Sequence, residues 1–196
     1  MPNVLFPLRS LIDPDGVFKE VADSEPGALR VFFGSAIWLV ALPPAFLFFG
    51  TGWYGWRLGT VEPLLLPTGA RLSVSGAYFA ALMLGFVTAA LVSRWTAVTY
   101  DARRDLGAHL ALMCIIAAPP SLSSAVQLYP DAFIGVLVLV PSLMWSMHLL
   151  YRGLPVALRT TTEQGVLMAS VVVGYLLVAA VTLLGLTVFL WVLGVG

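Results

Sequence analysis

Charge is what this chain has least of. Ten Lys and Arg and ten Asp and Glu are spread over 196 residues and cancel to a formal net charge of zero. Without a basic patch there is no footprint for nucleic acid, and no acidic run marks a solvated tail. Cysteine is nearly missing too. The single Cys114 excludes an intrachain disulfide and a cysteine-based zinc cluster. No ionisable residue falls in the middle of a long apolar run, although ion-coupled pumps and intramembrane proteases usually need one there. A nucleophile–base pair and a phosphate-cradling loop are also missing. The chain is therefore expected not to be an enzyme and to need no cofactor.

What is present is apolar. Apolar residues make up 60% of the chain and mean hydropathy is +0.96, against roughly 45–50% apolar in a globular domain. A soluble fold of this length cannot hide that much apolar surface, so lipid must cover the rest. A helix needs about 20 apolar residues to cross the hydrocarbon core. Five stretches qualify, at residues 31–50, 72–93, 106–130, 132–151 and 164–196. The last has a reach of about 50 Å at 1.5 Å per residue. Against a core of about 30 Å it must tilt, bend or project, and Gly174 and Gly185 are where a break would fall. The expected fold is an all-α polytopic membrane protein of five spans, 31–196, after an N-terminal segment, 1–30.

The basic residues fix an expected orientation. Arg9, Lys19 and Arg30 precede the first span. Arg94, Arg103 and Arg104 fill the second gap, and Arg152 and Arg159 the fourth. Only Arg57 and Arg71 lie on the other side. The positive-inside rule then places the N-terminus in the cytoplasm and the C-terminus outside. Trp53, Tyr54, Trp56 and Tyr129 fit the outer boundary, and Trp95, Tyr100 and Tyr151 the inner one. For a bacterial chain this means the cytoplasmic (inner) membrane. The start of the chain does not read as a cleavable signal peptide, because five acidic residues precede the first apolar run and a short basic start is missing.

Within the N-terminal segment, Asp13 can cap a helix with Pro14 at its first position. Val17, Phe18 and Val21 share one face, away from Asp15, Lys19 and Glu20. Such a short amphipathic helix either lies in the membrane interface with Leu8, Leu11 and Ile12 nearby, or rests on the ends of the spans.

Two segments carry a family resemblance. One is the I-D-P-x-x-x-F run inside Leu-Ile-Asp-Pro-Asp-Gly-Val-Phe, residues 11–18. The other is Leu-Leu-Tyr-Arg-Gly-Leu-Pro-Val, residues 149–156. With five spans in a chain of this length, they resemble the bacterial members of the Yip1-domain family. The resemblance implies a five-span, all-helical membrane protein and no established reaction. Eukaryotic members are associated with Rab GTPases and carry an Asp-Leu-Tyr-Gly-Pro-type motif, which this chain lacks.

Several local patterns suggest sites. Arg103 and Arg104 in the second gap suit lipid phosphates or simple inside anchoring. Tyr151, Arg152, Gly153 and Pro155 read as a turn closing the fourth span, either rigid or partner-docking, and Phe18 is a candidate contact residue on the same cytoplasmic face. Thr160 with Glu163, or Thr161 with Gln164, can then form a capping box for the last span. Diprolines at Pro43–Pro44 and Pro119–Pro120, with Pro141, free carbonyls at Leu39, Val40, Ile115, Ile116 and Leu137. Such carbonyls must meet protein or water. With the Ser121 hydroxyl they suggest kinked helices, or the site of a passive carrier or channel. Ala77, Ala81, Gly85, Ala89 and Ser93 form a small-residue stripe for helix packing, within the bundle or in a homodimer. His109 and His148 are the only candidate metal or proton groups, and they lack a helical ligand spacing.

The leading expectation is a non-enzymatic membrane protein that binds a protein partner or lipids, or organises the bilayer, from its cytoplasmic face. The alternative is a passive carrier or channel for a small solute or a monovalent cation, built around the diproline kinks.

Overall fold

A computed structural model describes residues 5–57 and 62–194, with side chains through residue 182. Helices make up most of the described residues, and among these only two isolated β-bridges occur, Trp56 with Leu64 and Arg57 with Asp131. Two short helices come first, α1 (Phe6–Arg9) and α2 (Pro14–Asp23). The first span runs over Ala28–Tyr54. It consists of α3 (Ala28–Val31), a π-helical stretch (Phe32–Ala36) and α4 (Ile37–Tyr54). The others are α5 (Thr68–Thr96), α6 (Leu106–Ser123) with a 3-10 extension (Ser124–Leu128), α7 (Ala132–Ala157) and α8 (Thr162–Gly194). Five helices long and apolar enough to cross a membrane are thus present, each overlapping an expected span. The last is a continuous helix through Gly174 and Gly185. Side chains beyond residue 182, and residues 195–196, lie outside the described residues.

Helix α6 is the hub. Every residue from Gly107 to Ile116 is buried, which is why its sequence shows no amphipathic period. It packs on α4, α5 and α7, while α8 closes the ring between α5 and α7. Helices α4 and α7 do not pack along each other. The 3-10 extension of α6 bridges them at the end of the bundle away from the N-terminus, and α1, α2 and α3 cover α6 at the N-terminal end.

The diprolines sit inside continuous helices. Pro43, Pro44 and Pro119 are buried and Pro120 is half-buried. Pro120 cannot donate to the carbonyl of Ile116 four residues back. That carbonyl instead accepts a 2.7 Å hydrogen bond from the Ser146 hydroxyl of α7. Ser121 is buried and its carbonyl accepts from the Ser124 hydroxyl at 2.5 Å. Pro141 lies on an exposed face of α7. At Ile116, then, the freed carbonyl joins two helices and is not left to bind a solute.

The small-residue stripe of α5 divides. Ser93 and Ala89 are buried, Gly85 and Ala81 are half-buried, and Ala77 is exposed. A step of four residues advances a straight helix by about 40° beyond a full turn. The stripe therefore winds away from the core, and a β-carbon built at Gly85 would touch nothing within 4 Å. Only its last part is fully buried within the bundle.

Candidate functional site

At the N-terminal end of the bundle, four separate segments converge on α2. Their chemistry begins with Asp13. Its carboxylate accepts from the Gly16 amide at 3.0 Å, and Pro14 occupies the first turn, so helix α2 starts as the sequence suggests. A β-carbon at Gly16 would meet that carboxylate, the end of a side chain that can shift to make room. The helix turns Val17, Phe18, Val21 and Ala22 into the protein, and Val17, Phe18 and Val21 are fully buried. Of the two placements left open by the sequence, the apolar face rests on the ends of the spans.

The surface it rests on is the end of α7. Tyr151, Arg152, Gly153 and Pro155 do not form a turn. They belong to α7, which continues to Ala157. Pro155 costs the helix one hydrogen bond without ending it. Four residues after Pro155, Arg159 adopts a left-handed conformation with φ of 53°. The Thr160 amide then donates to the Pro155 carbonyl at 3.0 Å and the Arg159 amide to the Val156 carbonyl at 3.3 Å. That pair of bonds is a Schellman stop. Thr161 caps α8 through the Gln164 amide at 3.3 Å, and the Gln164 side-chain oxygen accepts from the Thr160 and Thr161 hydroxyls.

Gly153 is the seat of Phe18. A β-carbon there would overlap the Phe18 ring. Arg152 pairs with Asp15 at 2.6 Å and Arg159 with Asp23 at 3.6 Å, along the exposed rim of the same contact. Tyr151 is half-buried, its hydroxyl 3.2 Å from the Ser170 hydroxyl of α8. Pro155 packs against Gly165 at the start of α8.

Arg103 and Arg104 part company. The Arg103 guanidinium donates to the carbonyls of Val21 and Ala22, both at 3.2 Å, and pairs with Asp105 at 3.2 Å. It caps the last turn of α2, where a cation also meets the negative end of the helix dipole. Its side chain is only 16% exposed, so it is not an open phosphate ligand. Arg104 points outward and is exposed. Its carbonyl accepts from Arg94 Nε at 3.1 Å, which ties the exposed Arg94 to the backbone of the exposed Arg104; Trp95, next in the chain after Arg94, is 76% exposed.

His109 fastens this loop to α5 and α6. Its Nε2 lies 2.8 Å from the Arg103 carbonyl, and its Nδ1 2.9 Å from the Ser93 hydroxyl. A carbonyl only accepts, so Nε2 carries the proton and Nδ1 accepts from Ser93. Both ring nitrogens are taken, and His109 is a structural pin, not an open ligand. His148 is exposed and stacks on Trp145 with ring centroids 5.3 Å apart.

The two basic residues of the opposite end are also committed to structure. Arg71 donates to the Phe48 carbonyl at 3.4 Å and to the Thr68 hydroxyl at 3.0 Å, and lies 5.1 Å over the Phe48 ring. Arg57 lies 5.0 Å over the Tyr129 ring. Such contacts to aromatic faces hold a cation at a boundary.

Sequence reasoning named Phe18, Arg152 and Gly153 but not their mutual contact, and it missed Asp15, Asp23 and Arg159 as their rim. It also missed Ser146, whose only signal was a hydroxyl inside an apolar run facing a diproline helix.

Comparison with known proteins agrees with a membrane protein. The chain is 30% identical over 153 residues to the inner membrane protein YohC of Escherichia coli strain K12, covering 78% of each chain. The same figures hold for the protein of that name from Escherichia coli O6:H1. No solved structure matches the chain. The model of the Yip1 domain matches residues 8–194, a range that includes both segments joined by Phe18 and Gly153, and the chain belongs to the Yip1-domain family of membrane proteins.

Proposed function

We propose that this protein is a non-catalytic organiser of the bacterial inner membrane that holds anionic phospholipid headgroups on its cytoplasmic face. The observation that carries the reading is the opposed setting of Arg103 and Arg104. One guanidinium fastens the N-terminal arm, and the other belongs to an exposed Arg104 whose carbonyl is held by the equally exposed Arg94, with Trp95 exposed next in the chain. Paired guanidinium forks suit a phosphate, and a tryptophan suits the headgroup level. The excess of basic residues at this end supports an N-terminus in the cytoplasm and a C-terminus in the periplasm. Description of the relative as an inner membrane protein supports the location.

The test is an Arg94→Gln, Arg104→Gln double variant in nanodiscs containing phosphatidylglycerol. Native mass spectrometry should show most of the retained phosphatidylglycerol lost, with melting unchanged. Equal retention in the variant would refute the headgroup site. If a protein partner were lost from the variant in membranes while phosphatidylglycerol stayed bound, this face would serve protein and not lipid. Orientation is tested separately with Lys19→Cys, which should react with an impermeant maleimide in inverted vesicles and not in spheroplasts.

A further inference from the structure

The N-terminal arm carries an apolar edge that faces away from the protein. In α1, Phe6 is buried inward, and Ser10 just beyond the helix is fully buried. On the other side Leu5 is 57% exposed, Leu8 38%, and Ile12 91%. Three aliphatic residues so close together on one exposed edge are hard to reconcile with water.

The position of α1 says what covers them. It packs directly on α6. Asp105 caps that helix through the Gly107 and Ala108 amides, which marks where the span begins, and the buried run from Gly107 to Ile116 follows at once. An element lying against the first turns of a membrane span is at leaflet depth. Helices α4 and α7 do not pack along each other, and at this end α1 and α2 are among the elements that cover α6. The outward face of α1 thus continues the outer surface of the bundle. Leu29 and Phe33 on the first span are 74% and 61% exposed at the same end. The charges of the arm are held in pairs, Arg9 with Glu20 at 3.2 Å and Asp15 with Arg152 at 2.6 Å.

We infer that Leu5, Leu8 and Ile12 are inserted among lipid acyl chains of the leaflet on the N-terminal side, so that the arm is a membrane-embedded wall over α6 and not a soluble appendage. The partner of this edge is lipid. Long side chains such as Arg9 reach from it to the headgroups. The protein then has a larger footprint in that leaflet than its spans alone would give. This inference does not depend on the Arg94–Arg104 headgroup site.

The experiment places a nitroxide at Leu8→Cys or Ile12→Cys, with Lys19→Cys as an exposed reference on α2. Cys114 is buried, and the unsubstituted protein treated with the same reagent gives the background. In nanodiscs of phosphatidylethanolamine and phosphatidylglycerol, collision with oxygen reports lipid and collision with a neutral nickel chelate reports water. Labels at 8 and 12 should show an oxygen-to-nickel ratio several-fold above that at 19. Equal ratios at all three sites would put the edge in water and overturn the inference. Loss of both collisions at 8 and 12 would mean that a second copy covers the edge, and would overturn it as well.

Discussion

The ring of Phe18 lies against Gly153 so closely that a β-carbon at Gly153 would overlap it. One residue comes from the I-D-P-x-x-x-F segment and the other from the Tyr-Arg-Gly-Leu-Pro segment, so the two stretches most characteristic of this chain are the halves of one interface. The rim of that interface is charged, but Asp15 and Arg152 are each about half exposed. Exposed pairs contribute about 0–1 kcal/mol, whereas a buried Phe is worth about 3–5 kcal/mol on truncation. The ring, not the ion pair, holds the arm.

Phe18→Ala and Gly153→Val should therefore act alike. The first is expected to cost about 3–5 kcal/mol of arm docking and the second about 1–3 kcal/mol by overpacking. Limited trypsin digestion in inverted vesicles should then cut at Lys19 and Arg30 much faster than in the parent protein. Asp15→Asn should leave the digestion rate nearly unchanged. A large effect of Asp15→Asn with a small one of Phe18→Ala would reverse the assignment.

Ser146 and Pro120 form a coupled pair. Ser146→Ala leaves the Ile116 carbonyl without its 2.7 Å partner, at an expected cost of about 1–3 kcal/mol. In a Pro120→Ala background the restored amide can bond that carbonyl along the helix, so the same serine change should cost much less. A double-mutant cycle on melting temperature measures the difference. Additive effects would show that Ser146 does not serve the carbonyl freed by proline.

Arg103 and Arg104 should separate cleanly. Arg103→Gln removes the cap on Val21 and Ala22 and should destabilise the arm by about 1.5–3 kcal/mol, as expected for charged hydrogen bonds. Arg104→Gln should fall within about ±0.5 kcal/mol, as surface changes do. Thermal unfolding in detergent compares the two, and equal losses would count against the inward setting of Arg103.

For the histidines the contrast is similar. His109→Leu strands the Arg103 carbonyl and the Ser93 hydroxyl, at about 1–3 kcal/mol. His148→Ala loses only an exposed stacking contact on Trp145 and should change melting little. Comparable losses at both positions would remove the pin from His109.

Much of this was legible in the chain. Uncharged runs long enough to span lipid fixed five helices, because a backbone in hydrocarbon must satisfy its own hydrogen bonds. Asp13 followed by Pro14 announced α2, since capping is a local matter of amides and one carboxylate. The Tyr151–Pro155 stretch misled, because a proline and a glycine normally end a helix. Here Gly153 is small for the sake of Phe18, a residue far away in the chain.

The sequence by itself determined the solvent, the number of spans and the start of the N-terminal helix, all of which follow from local composition. Only the tertiary structure decided that α6 is the hub, that Arg103 faces in and Arg104 out, and that Ser146 meets Ile116. Those choices depend on which faces of separate helices come together. A period of 3.6 residues sets the faces, but when both protein and lipid are apolar, hydropathy cannot say which face meets which.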